Sequence, residues 1–182
     1  MKTELNIYWF RRDLRLDDNA ALYHALKSGK SVLPIFIFDE QILEKLEDKH
    51  DRRVDFLHQT LTSLRSKLRS LGSDLLVLHG TPNEVYQKLF SDYSVNAVYT
   101  NHDYEPYSKQ RDSDISDLLK EHGSSFHTFK DQCIFEKGEV LKDDGKPYTV
   151  YTPYAKKWKL RANSFYLKSY PTENYFENFL NF

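Results

Sequence analysis

The sequence predicts an α/β fold, a parallel sheet with helices on both faces. Three observations predict it. Short runs of strand-forming residues alternate five times with stretches of helical hydrophobic spacing. The second run, residues 31–38 (SVLPIFIF), is almost wholly apolar, as a parallel strand buried on both faces requires. The 182 residues, 40% hydrophobic and 29% charged, suffice for one ordinary domain with its own core, and they exclude a disordered chain.

The elements follow in order. Residues 5–10 (LNIYWF) read as the first strand. After a polar stretch, Ala20, Ala21, Leu22, Ala25 and Leu26 space a helix that Gly29 ends. Residues 31–38 are the second strand. Val54, Leu57, Leu61, Leu64, Leu68 and Leu71 recur every three or four residues, with Arg65, Lys67 and Arg69 off the stripe and Gly72 as the stop. Residues 75–78 read as a further buried strand. Thr81-Pro82-Asn83-Glu84 opens a helix with Pro at its first position, and Val85, Leu89 and Phe90 form its inner face. Residues 96–100 give a fourth strand. Pro106 opens a helix with Ile115, Leu118 and Leu119 inward and Gly123 as its end, and residues 125–129 give a fifth strand. The result is a Rossmann-like five-stranded sheet, order 3-2-1-4-5, with right-handed crossovers. The alternation then stops, which sets a domain at 1–130 and a linker at 131–182. In that linker Asp144-Gly145 predicts a hairpin turn joining Val140-Leu141 to residues 148–151. Residues 156–162 read as a short basic helix, and residues 163–182 show no clean period.

Charge and cysteine content narrow the function. Lys plus Arg is 26 and Asp plus Glu is 27, a net charge of -1, which argues against a duplex-coating protein and leaves room for a local basic patch. Cys133 is the single cysteine, so no intramolecular disulfide or Cys-cluster metal site is available. No apolar run approaches about 18 residues, and Met1-Lys2-Thr3-Glu4 opens no leader peptide, so a soluble cytoplasmic protein without membrane contact is expected. The seven histidines, His24, His50, His58, His79, His102, His122 and His127, show no metal-ligand spacing.

In such sheets a ligand lies at the carboxyl ends of the strands, where strand order reverses, here between the first and fourth strands. Three charged loops meet there: Arg11-Arg12-Asp13-Leu14-Arg15, Asn101-His102-Asp103-Tyr104-Glu105-Pro106, and the loop from Asp39 toward Arg52-Arg53. No glycine-rich turn follows the first strand and no phosphate-binding loop motif exists, so an anionic ligand would depend on arginine side chains. Asp103 offers an acceptor for ring N–H groups, and Trp9, Phe36 and Phe38 offer apolar walls.

Three stretches then carry a resemblance. Trp9-Phe10-Arg11-Arg12-Asp13-Leu14-Arg15-Leu16-Asp17-Asp18-Asn19 resembles the opening of the DNA photolyase/cryptochrome family. Tyr104-Glu105-Pro106-Tyr107 with Arg111-Asp112 resembles its stretch after the fourth strand. Tyr148-Thr149-Val150-Tyr151-Thr152-Pro153-Tyr154 with Trp158 is similar to its segment leaving the first domain. The resemblance implies the antenna domain of a light-driven repair enzyme, whose second, helical domain would bind FAD and cyclobutane pyrimidine dimers in damaged DNA. That domain has no counterpart here, so no catalytic residue is carried over. A fragment or short relative is expected, with an exposed apolar tail of Tyr175, Phe176, Phe179, Leu180 and Phe182. By resemblance, backbone groups of Phe36, Ile37 and Phe38, the Arg53 side chain and Asp103 would hold an antenna pigment. With Trp9 and Glu105 they make the candidate cofactor site. Tyr107-Ser108 stands where folate-binding relatives carry Asn-Glu, which favours deazaflavin or FMN over reduced folate. A blue-light photoreceptor, a stand-alone flavin- or nucleotide-binding module and a domain with an empty crevice are the alternatives.

Structural readings stand beside these. Asp18 and Asn19 suit helix capping. Arg12 and Arg15 suit pairing with Asp13 and Asp17, or bracing of a second domain. Glu105 suits the start of a helix through its dipole. His102 suits a surface position and Cys133 a small inert hydrophobe. The lysines around Trp158 suit a solvated face, with a DNA-backbone contact as the sharper alternative.

Overall fold

In a computed structural model, which describes residues 2–48 and 51–182, five strands form one parallel sheet in the order β3-β2-β1-β4-β5. The strands are β1 (Glu4–Phe10), β2 (Val32–Asp39), β3 (Leu76–Gly80), β4 (Ser94–Asn101) and β5 (Ser125–Phe129). The helices are α1 (Ala20–Lys27), the short α2 (Glu40–Leu43), α3 (Arg52–Ser70), α4 (Pro82–Asp92), α5 (Pro106–Glu121) and α6 (Tyr151–Arg161). A 3-10 turn spans Thr172–Asn178.

Alternation along the strands divides the core in two. Tyr8 and Phe10 of β1 and Phe36 of β2 pack against Ala21, Leu22, Ala25 and Leu26 of α1 and Leu61, Leu64 and Leu68 of α3. Leu5, Ile7 and Trp9, with Leu33, Ile35 and Ile37, pack against Val85, Tyr86 and Leu89 of α4 and Ile115 and Leu119 of α5. Helix starts follow local chemistry. Asn19 caps α1 by accepting from the Leu22 N–H, and Asp51 caps α3 by accepting from the Arg53 N–H. Thr81 and Glu84 form a reciprocal capping box at α4, with Pro82 at its first turn. No helix among the described residues is long and apolar enough to cross a membrane.

Three expectations change. The run at 75–78 reads as a buried strand; at the sheet edge that the expected order already assigns it, β3 has Leu76 and Leu78 only half-buried and Val77 exposed. An edge strand has one neighbour and is covered by fewer side chains. The turn at Asp144-Gly145 forms, the Lys142 N–H donating to the Lys146 carbonyl at 2.9 Å and the Gly145 N–H to the Lys142 carbonyl at 3.0 Å. No strands flank it, because Pro147 directly after the turn has no N–H for a ladder, and Tyr151 already begins α6.

The third change concerns the tail. Expected as an exposed apolar patch, it lies against the sheet and α1. Phe179 is 3% exposed and bridges to Val32 at the start of β2, where the Leu180 N–H donates to the Val32 carbonyl at 2.8 Å. The Thr172 hydroxyl donates to the Leu16 carbonyl at 2.6 Å, and the Asn178 amide to the Leu26 carbonyl at 3.0 Å. Tyr175 meets Tyr23 edge to face at 5.6 Å. Tyr175, Phe176 and Leu180 are half-buried, and Phe182 alone of the five stays exposed. A segment without periodicity finds partners because backbone groups and single aromatics, rather than a stripe, dock it.

Candidate functional site

The carboxyl ends of β1, β2 and β4 converge on a polar layer. At its base Asp13 is 6% exposed and accepts from four donors. These are the Tyr8 hydroxyl at 2.6 Å, the Asn101 amide at 2.5 Å, the Arg11 N–H at 2.9 Å and the Asn19 amide at 3.3 Å. Asn101 in turn accepts from the Ala21 N–H at 3.0 Å, which ties β4 to the start of α1. Burial, then the Asp13 charge, pushes the Tyr8 phenol well above its usual value. The sequence reading pairs Asp13 with its neighbouring arginines; a buried carboxylate shared between two strands has no sequence signal. Arg12 meets Asp103 and Glu105 instead, and Arg15 holds Asp131 at 2.8 Å. Asp18 takes a positive φ of 47° and accepts from the Tyr170 N–H, which anchors the tail.

Above this base runs a column of cations and rings. The Arg11 guanidinium lies 4.2 Å from the Trp9 ring centroid and Arg111 lies 4.9 Å from it. Arg111 is also 5.8 Å from the Tyr107 ring, against which Lys45 lies at 4.9 Å. Arg11 grips Asp112 with two bonds of 2.8 and 2.6 Å, and the Tyr107 hydroxyl donates to Asp39 at 2.5 Å. Burial, then the neighbouring Arg11 charge, holds the Arg111 guanidinium below its usual range. Arg11 and Arg111 have side chains 6% and 7% exposed, so both serve as packed walls as much as charges.

The expected site residues separate into groups. Trp9 and Ile37 point into the α4/α5 layer, whereas Phe36 and Phe38 point into the α1/α3 layer. The sheet therefore stands between Trp9 and the two phenylalanines, and they do not wall one slot. Phe38 is half-buried beside the His58 ring at 6.0 Å. Arg53 has a side chain 76% exposed and pairs with Asp51 on the first turn of its own helix. Asp103, at the mouth of β4, has a side chain only 8% exposed. Burial pushes its carboxyl upward, but hydrogen bonds from Ser108 and the Glu105 N–H, with the Arg12 and Arg111 charges, outweigh it and hold Asp103 below the usual carboxylate range. Glu105 precedes α5, makes no capping bond, and sits 2.5 Å from Arg12.

His102 is more than a surface residue. Its Nδ1 lies 2.8 Å from Glu136 and its Nε2 lies 3.1 Å from the Thr128 hydroxyl, which pins the segment after β5 onto β4. Cys133 is exposed, with the Tyr104 hydroxyl 3.1 Å from its sulfur, rather than a buried hydrophobe. Among the described residues no His, Cys, Asp or Glu group is arranged to hold a metal ion; His50 lies outside them.

Comparison with known proteins places this geometry. Residues 6–173 match the DNA photolyase family. The chain belongs to that family. It is 35% identical over 153 residues to the deoxyribodipyrimidine photo-lyase of a Synechococcus species, covering 84% of this chain and 31% of that one. A bacterial class III photolyase structure from Agrobacterium tumefaciens superposes with a TM-score of 0.81 at 27% identity, covering all of this chain and 36% of that chain. An archaeal photolyase structure from Sulfolobus tokodaii, described with two FAD molecules, gives a TM-score of 0.67 at 33% identity, over 77% of this chain and 32% of that one. Cryptochromes match over the same part. The chain thus spans about a third of the length of these photolyase relatives and corresponds to the N-terminal α/β part of the family fold. The observed strand order is the one expected from sequence.

Proposed function

We propose that this chain is the light-harvesting domain of a photolyase-like protein and seats a flavin-type pigment at the carboxyl ends of its strands. The observation that carries the reading is Asp103, a nearly buried carboxylate kept ionised at the mouth of β4. Such a group is an acceptor for the imide N–H of a flavin or deazaflavin ring. The residues present suit that ring. Phe38 offers a half-buried aromatic edge near the β2 terminus, and Arg53 carries an exposed guanidinium, paired with Asp51, for a polar edge or a phosphate. Arg12, bound to both Asp103 and Glu105, fixes the acceptor in place. Trp9 and Ile37 support the site from the opposite layer. When bound, the pigment supplies absorption of light for transfer to a second chromophore. The protein then has only to position it rigidly and exclude water, and no acid, base or nucleophile is called for. Deazaflavin or FMN is favoured over reduced folate by Tyr107-Ser108, which stand where folate-binding relatives carry Asn-Glu; the Tyr107 hydroxyl donates to Asp39.

In the parent, FAD would reside in a helical domain beyond the matched third. The reaction would be light-driven cleavage of cyclobutane pyrimidine dimers in DNA; a signalling photoreceptor would use the same domain. A stand-alone flavin-binding module is the second reading, and stable, monodisperse behaviour of the chain would favour it.

Absorption and fluorescence titration of the chain with deazaflavin, FMN and reduced folate tests the proposal. A saturable, shifted or quenched band is expected with a flavin-type pigment, and it should weaken at least about tenfold in Asp103→Ala and Arg53→Ala, a loss of about 1.4 kcal/mol. Saturation by none of the three overturns the antenna reading; unchanged affinity in both variants overturns the site.

A further inference from the structure

Charge is distributed unevenly along the chain. Residues 145–172 hold Lys146, Lys156, Lys157, Lys159, Arg161 and Lys168, six of the 26 cations, and none of the 27 acids. The rest of the molecule is therefore acidic in sum, while this stretch is basic. Its centre is α6, a helix with no buried residue.

The helix has two unlike sides. Tyr154, Ala155 and Trp158 are half-buried, and Trp158 meets Phe135 edge to face at 5.5 Å. That ring contact anchors α6 to the segment after β5. Lys156, Lys159 and Leu160 are exposed on the other side, one helical turn apart. Lys157 has a partner in Asp143 at 2.9 Å, and Arg161 lies within the field of Glu139. Lys156 and Lys159 pair with no carboxylate among the described residues. Two unpaired cations at adjacent turns repel each other weakly through water, and an anion seated between them would replace that repulsion by attraction. Exposed rings flank the pair: Tyr151 opens the helix and Phe165 follows it, each 79% exposed.

We infer that the outward face of α6 with its two flanking rings is a nucleic-acid contact surface. Lys156 and Lys159 meet backbone phosphates, and Tyr151 and Phe165 offer ring faces to unpaired bases. The inference is independent of the pigment reading and requires neither a chromophore nor a damaged base. An anionic membrane is the other polyanion to weigh. A helix lying in a bilayer surface buries a continuous apolar face. Apart from Tyr151 at its first turn, the outward apolar content of α6 is Leu160 between lysines, while Trp158 and Tyr154 are turned inward, so the face is not continuously apolar and fits a phosphate backbone better than a lipid interior.

Fluorescence anisotropy of the full chain with unmodified, labelled single-stranded and duplex oligonucleotides provides the test. Binding at low salt is expected, tighter for the single strand. With two phosphate contacts, affinity should fall about 12-fold for duplex between 50 and 200 mM salt. The double variant Lys156→Gln/Lys159→Gln should lower the log–log salt slope by about 2. Tyr151→Ala/Phe165→Ala should remove the preference for the single strand. Lys67→Gln, on α3, should leave every curve unchanged, and circular dichroism of each variant should match that of the parent chain. No oligonucleotide binding at low salt, a salt slope unaltered by the lysine variant, or binding to phosphatidylserine vesicles without binding to DNA would each overturn the inference.

Discussion

At the scale of single residues, burial decides what each charge does. Asp103 and Asp51 are both ionisable groups near the strand ends, yet they differ in kind. The Arg53 side chain and N–H hold Asp51 at about 2, a local arrangement between neighbours in sequence. Asp103 is held down against its burial by groups from three places, Ser108, Arg12 and Arg111. Its depressed value gives a signed prediction. The unfolded carboxyl titrates near 3.9, so the stabilisation by Asp103 is complete above about pH 5 and is lost as pH falls through the lower folded value. Melting temperatures between pH 6 and 2 should decline on acidification, and Asp103→Asn should flatten part of that decline. An identical pH profile in the variant would show that Asp103 is not held ionised by the fold. The sequence exposes Asp103 as a candidate because it follows a strand at the reversal of strand order. It does not expose Asp13, three of whose four donors, Tyr8, Asn19 and Asn101, come from β1, the cap of α1 and β4 and meet only after the sheet has formed.

At the scale of elements, hydrophobic period and capping explain most of what forms. The stripe of α3 places Leu61, Leu64 and Leu68 inward, each at most 5% exposed. Leu64→Ala should therefore destabilise the chain by about 2–5 kcal/mol in chemical denaturation, through lost burial and the cavity left behind. A change below about 1 kcal/mol would mean that the helix face is loosely packed. Thr81, Glu84 and Pro82 mark the start of α4 as sharply in sequence as in space. Elements whose outcome depends on what lies beside them are harder to read. The apolar run of β3 reads as buried, yet its place at the sheet edge leaves Val77 exposed. The turn at Asp144-Gly145 forms as local chemistry dictates, but Pro147 denies it the strands that would make a hairpin.

At the scale of the whole molecule, the tail closes the open side of the domain. Phe179 seals the start of β2 beneath α1, and Phe179→Ala should cost about 3–5 kcal/mol, lowering the melting temperature and exposing apolar surface that binds a hydrophobic dye. An unchanged melting curve would show that the tail is not part of the cooperative unit. The sequence by itself determined the alternation of strands and helices, the order of the sheet and, through three motifs, the family. Alternation and order depend on periodicity, turn residues and connection chirality, which are local or topological. Tertiary structure alone decided that Trp9 and Phe38 lie on opposite faces of one sheet, that Arg11 and Arg111 both pack on Trp9, and that the tail is buried. Each of these depends on residues far apart in the chain, whose meeting is set by three-dimensional packing and leaves no mark on neighbouring positions.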